Sequence, residues 1–261
     1  SLIMMLSMVK QIIIAYADFQ EDPHVLEQHH LNIAEFFCDT IQGEGHNLGY
    51  PASFLRMRDC TLNCTWCDTR EVWRTGHSYT FDQLFKLIDE AGLVHKWQHG
   101  QHLVLTGGSP LKQQENLLLF ILALEERYGG VPYLEIENEC TLLPIPKLVK
   151  YIQCWNNSPK LASSKNKFEY RYKSEVLQYL SKLPNSWFKF VVSKEEDWEE
   201  IDAGFLIPEL IDRSQIILMP QGATKAELEL NRPFVIEMAI ENGVRFSDRL
   251  HITIWDKKTG V

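Results

Sequence analysis

Cys60, Cys64 and Cys67 are spaced C-x3-C-x2-C. A structural zinc site closes with four ligands, often delivered as C-x2-C pairs. Here a fourth would have to come from His46 or His77, and no paired knuckle supplies one. Three thiolates on an iron–sulfur cubane leave one iron without a protein ligand, where a small molecule can be held and reduced. Chemistry of this kind joins a cluster to S-adenosylmethionine (SAM) and generates radicals. Trp66, inside the triad, can shield a cluster or stack on an adenine; it can equally fill the loop. Cys38, Cys140 and Cys154 are scattered and read as small buried hydrophobes.

Three further constellations flank the loop. Gln42-Gly43-Glu44-Gly45 alternates an amide and a carboxylate with glycines; it reads as a turn, and its backbone is one that ligands can approach closely. The Arg56 guanidinium can grip a carboxylate at two points or form a salt bridge at a strand end. Asp68-Thr69 by itself reads as a cap or turn pair.

The elements that must position these groups alternate. Ile33–Phe37, Ala52–Met57, His102–Thr106, Tyr133–Glu137, Tyr151–Trp155, Trp187–Val192, Ile216–Met219 and His251–Trp255 read as strands. Between them, Thr80 with Gln83 caps a helix whose apolar stripe is Phe81, Leu84, Phe85 and Ile88. Glu115–Tyr128 and Ser174–Leu183 are helical, and Ser193 with Glu196 forms a capping box. Thr224 with Glu227 caps another helix, which Pro233 restarts and which runs to Asn242. Residues 156–173 are polar and read as a loop. Repeated strand–helix units imply an α/β fold with a mainly parallel sheet and outer helices, whose ligands gather at the carboxyl ends of the strands.

The chain has 261 residues and a net charge of −9, which argues against a bulk electrostatic grip on nucleic acid or an anionic membrane. Its first ten residues are too short and too poor in basic groups to read as a leader or a span. The irregular cysteine spacing fits a reducing, cytoplasmic setting.

In order along the chain stand Thr40–Gly45 (TIQGEG), Gly49–Arg56 (GYPASFLR), the cysteine loop with Asp68-Thr69, Thr106–Pro110 (TGGSP), Ser158-Pro159-Lys160, Leu218-Met219-Pro220 and the block Arg245–Ile252. This ordered set resembles the 7-carboxy-7-deazaguanine synthase family of radical SAM enzymes, over roughly residues 31–261.

The resemblance implies a partial (β/α) barrel as one domain over 31–261, preceded by an extension over 1–30. It implies that Cys60, Cys64 and Cys67 ligate a [4Fe–4S] cluster and that Thr69 ligates Mg2+. SAM contacts would come from Trp66, Cys67, Asp68, Gly108, Glu137, Ser158, Pro159, Lys160, Met219, Pro220, Gln221 and Gly222. Substrate contacts would come from Ile41, Gln42, Gly43, Glu44, Arg56, Thr106 and Val261, with Arg249 and His251 supporting the pocket. The implied reaction turns 6-carboxy-5,6,7,8-tetrahydropterin into 7-carboxy-7-deazaguanine with loss of ammonia, through an adenosyl radical. A flavodoxin or ferredoxin reductant and a homodimer are implied with it.

Two departures stand out. The family's Gly-Gly-Glu-Pro is Gly107-Gly108-Ser109-Pro110, so backbone contacts to the SAM ammonium remain while a charged partner is lost. The family's Glu-Thr-Asn-Gly is Glu137-Asn138-Glu139-Cys140. Two rival readings are a glycyl-radical activating enzyme, for which the Gln42–Glu44 and Arg56 features would be accidental, and a zinc- or cluster-bearing interaction module.

Overall fold

The computed structural model describes residues 11–15 and 29–257. Ten strands form one sheet among the described residues. They are β1 (Gln11–Ile14), β2 (His30–Ile41), β3 (Pro51–Met57), β4 (His77–Thr80), β5 (His102–Gly107), β6 (Leu134–Asn138), β7 (Cys154–Asn157), β8 (Ser186–Val192), β9 (Ile216–Pro220) and β10 (Arg245–Phe246). The order is β1-β2-β3-β5-β6-β7-β8-β9-β10, with β4 also on β2. From β3 to β10 every pairing is parallel; the pairings of β2 are antiparallel. The result is an open, mainly parallel sheet with outer helices, as the alternating pattern implies.

Covered parallel strands read as continuous apolar runs. Leu103, Val104 and Leu105 on β5, Leu134 and Ile136 on β6, and Phe188 and Phe190 on β8 are all buried. The polar exceptions are informative. Thr106, Glu135, Asn156, Asn157 and Lys189 are strand residues that are also buried, so they must find partners inside the fold. Glu135 and Glu137 share one face of β6 by the two-residue period.

Local sequence signals set most helices. Thr80 accepts from Gln83 N while Gln83 answers Thr80 N, and the helix Phe81–Glu90 buries Leu84, Phe85 and Ile88. Thr224 likewise caps Lys225–Asn242. Pro233 lies inside that helix rather than restarting it. The expected Ser193–Glu196 box is displaced by one residue: Asp197 accepts from Ser193 N and Lys194 N. Residues 156–173 are not simply a loop, since β7 extends to Asn157 and helical turns cover Ala162–Ser164 and Phe168–Arg171. The strand read at Tyr151–Trp155 starts only at Cys154.

The largest correction concerns His251–Trp255, which belongs to a helix, Leu250–Trp255. Arg245–Phe246 already occupies the edge beside β9. The following chain turns away over the carboxyl ends of the strands, where Leu250 N donates to Gly43 O at 2.7 Å.

Candidate functional site

The carboxyl ends of the parallel strands enclose a cleft of about 510 Å3. Cys60, Cys64 and Cys67 all line it, and all are free thiols. Among the described residues, no three His, Cys, Asp or Glu side chains converge closely enough to hold one metal ion. Donors are aimed at the triad's sulfurs: Ser109 Oγ at 3.3 Å and Leu62 N at 3.4 Å from Cys60 Sγ, and Asn166 Nδ2 at 3.1 Å from Cys64 Sγ. Burial pushes the Cys60 and Cys64 thiols up, while the Ser109 bond on the first and Lys160 with the Asn166 bond on the second work against it. Donor-rich surroundings of this kind suit sulfurs that ligate as thiolates. The donors and the shared cleft fit a cluster.

The loop is clamped from both sides. Asn63 N donates to Asn166 Oδ1 at 2.8 Å and Thr65 N to Ser164 O at 3.1 Å, so the 162–166 turn braces it. Opposite, a Cβ on Gly108 would come within 2.0 Å of Asp59 O and 2.8 Å of Cys60 Cβ. Only glycine lets this strand end lie against the cysteine loop.

Trp66 and Lys160 meet in the cleft lining, the ammonium 5.5 Å from the ring centroid. Lys160 also donates to Ser158 O at 2.7 Å and to Ser158 Oγ at 2.9 Å. Glu137 accepts from Thr106 Oγ1 at 2.6 Å. Thr69 lines the cleft just beyond the triad, its Oγ1 3.7 Å from Cys67 Sγ.

Charge is concentrated at the other end. Arg249 donates to Glu44 at 3.2 Å and to Asp68 at 2.5 Å, and Lys189 pairs with the second oxygen of Glu44. Burial alone would raise Glu44, but Lys189 and Arg249 hold it far below the ordinary carboxylate range. Asp68 is likewise lowered, with Arg249 overcoming burial. Arg249 rises because these carboxylates outweigh its own desolvation. Gly43 meets His251 so closely that a Cβ would come within 1.9 Å of Nδ1.

The structure gathers Glu44, Trp66, Asp68, Thr69, Thr106, Gly108, Glu137, Ser158, Lys160 and Met219–Gly222 onto the cleft with the cysteines. Ile41, Gln42, Gly43, Arg56 and Pro159 are not among its lining residues. Gln42 is buried and directs its amide toward Glu135 and Glu137, 3.4 Å from each. Arg56 bonds Glu35 at 2.9 Å; that carboxylate outweighs desolvation and raises its pKa. Val261 lies outside the described residues. Sequence reasoning missed Lys189, Asn166 and Glu135. A lysine within the apolar run Trp187–Val192 was a readable signal for the first; the others depend on which segments meet in space.

The radical SAM superfamily model matches residues 54–153. A 7-carboxy-7-deazaguanine synthase of Pyrobaculum aerophilum is 30% identical over 232 residues, 88% of this chain and 97% of that protein. One from Halobacterium salinarum is 30% identical, covering 87% and 91%. The crystal structure of QueE from Escherichia coli matches with a TM-score of 0.63 over 90% of this chain and 100% of that one, at 24% identity. At that identity the likeness concerns the fold, an open barrel of the radical SAM type.

Proposed function

Because the chain belongs to the 7-carboxy-7-deazaguanine synthase family of the radical SAM superfamily, we propose that it converts 6-carboxy-5,6,7,8-tetrahydropterin to 7-carboxy-7-deazaguanine with loss of ammonia. The observation that carries this reading is one cleft in which the thiol triad faces the charged wall of Glu44, Lys189 and Arg249. When bound, a [4Fe–4S] cluster with SAM supplies an adenosyl radical that abstracts hydrogen.

The protein's own part is holding and orienting. Cys60, Cys64 and Cys67 are the cluster ligands in this reading. Trp66, Ser158 and Lys160 form one wall for SAM, with Gly108 and Glu137 on the adjoining strand ends and Met219–Gly222 opposite. Glu44 stays ionised and accepts from the pterin's aminopyrimidinone edge. Thr106, bonded to Glu137, offers a hydroxyl to the same ligand. Arg56 grips the substrate carboxylate while Glu35 fixes its plane. Thr69, on the cleft lining, would hold Mg2+ through its hydroxyl.

The domain runs from residue 31 to 261. A homodimer, a flavodoxin- or ferredoxin-type reductant and a cytoplasmic setting complete the reading. No helix among the described residues is long and apolar enough to cross a membrane.

The test is anaerobic incubation of cluster-reconstituted protein with SAM, reductant and 6-carboxytetrahydropterin, followed by mass analysis. 7-Carboxy-7-deazaguanine with SAM unconsumed supports the reading. Cleaved SAM with intact pterin would overturn it.

A further inference from the structure

Glu139 is a cleft carboxylate to which the proposed reaction gives no role. It is 6% exposed, lines the cleft beside Cys60, and its Oε2 is buried without a hydrogen-bond partner. Its other oxygen accepts from Thr61 Oγ1 at 2.8 Å and from Thr141 Oγ1 at 2.7 Å. Thr61 in turn meets Ser109, whose Oγ accepts from Thr61 N at 2.9 Å and lies 3.3 Å from Cys60 Sγ. Ser109, Thr61 and Glu139 therefore form one chain at the edge of the cysteine loop.

The cations of the cleft are engaged elsewhere. Lys189 and Arg249 serve Glu44 and Asp68, and Lys160 is bonded to Ser158. A buried carboxylate oxygen left without a partner is costly and calls for a donor. The described residues supply none within bonding distance of the free oxygen.

We propose that Glu139 binds the ammonium of the methionyl group of SAM, replacing from the end of β6 the charge absent at Ser109. This rests on the reading that SAM occupies the cleft. Thr61 and Thr141 fix one oxygen and leave Oε2 to the ligand. The negative charge missing from one strand end is thereby restored from its neighbour in the sheet.

The test is anaerobic equilibrium dialysis of the cluster-loaded wild type and Glu139→Gln with three ligands: SAM, S-adenosylhomocysteine and methylthioadenosine. The first two carry the ammonium and the third does not. Iron content and cluster absorbance should match in the two proteins, since Gln keeps the bond to Thr61. SAM and S-adenosylhomocysteine should each bind the variant about 10- to 100-fold more weakly, as for loss of one charge-assisted bond. Methylthioadenosine should bind both proteins equally. Unchanged SAM affinity in the variant would overturn the proposal, as would a loss shared by methylthioadenosine, which marks a packing defect. Loss for SAM but not for S-adenosylhomocysteine would move the contact to the sulfonium and overturn it too. A wild type that binds none of the three would instead sink the SAM assignment itself.

Discussion

Lys189 and Glu44 form an ion pair with both partners withdrawn from solvent, their side chains 8% and 16% exposed. Glu44 has a depressed pKa, so its contribution to stability is complete above the unfolded value of 4.5 and is lost as pH falls toward the folded value. The wild-type unfolding midpoint should therefore drop steeply on acidification below about pH 4.5. Glu44→Gln should be less stable at pH 7, by about 3 kcal/mol, because Lys189 is left buried without its counter-charge. Its acid slope should be shallower. Parallel slopes in thermal melts from pH 3 to pH 7 would separate Glu44 from the acid transition.

Gly43→Ala should dislodge the helix Leu250–Trp255, because the new Cβ would come within 1.9 Å of His251 Nδ1. Overpacking of this kind costs about 1–3 kcal/mol. The double variant with His251→Ala should recover part of that loss, which a double-mutant cycle of denaturation energies will read. Additive losses would mean that the ring is free to swing away.

Arg56→Lys should weaken substrate binding by about 1.5–3 kcal/mol while SAM binding persists, since lysine lacks the planar fork. Glu35→Gln should weaken it in the same direction, because Glu35 holds the guanidinium. Calorimetry on both variants checks this. Unchanged substrate affinity would leave Arg56–Glu35 as a purely structural pair.

Alanine at Cys60, Cys64 or Cys67 should abolish the cluster absorbance and SAM cleavage together. Alanine at Cys38, Cys140 or Cys154 should spare both, because those thiols are buried away from the cleft lining. Full activity of Cys64→Ala would sink the assignment.

Magnesium should raise turnover after chelator treatment without altering SAM binding. Thr69→Ala should lose most of that stimulation, by removing one of the few protein oxygens such an ion takes. Identical magnesium titrations of product formation would exclude Thr69 as a ligand.

Much of the fold is legible in the sequence because its determinants are local. Thr80 with Gln83 and Thr224 with Glu227 announce helix starts through bonds that span three residues. The apolar run His102–Thr106 has few alternatives to a buried strand. Leu250–Trp255 is illegible for the opposite reason: a short run with Ile252, Ile254 and Trp255 suits either period, and the choice depends on the sheet edge already filled by Arg245–Phe246. At the site, the cysteine spacing announces the chemistry. The role of Asn166 cannot be read, because a bond from its amide to Cys64 joins positions 102 apart. The partner of Arg56 is hidden likewise, since Glu35 faces it only through the register of β2 on β3.

The link between Arg249 and Glu44 spans 205 positions, and Leu250 is tied to Gly43 beside it. During synthesis, Glu44 leaves the ribosome long before its guanidinium exists. The parallel strands between them must be laid down in order before the two can meet, and such non-local closure is slow. The charged wall is complete only once Arg249 and Leu250 have been made and have packed back onto Glu44, Asp68 and Gly43.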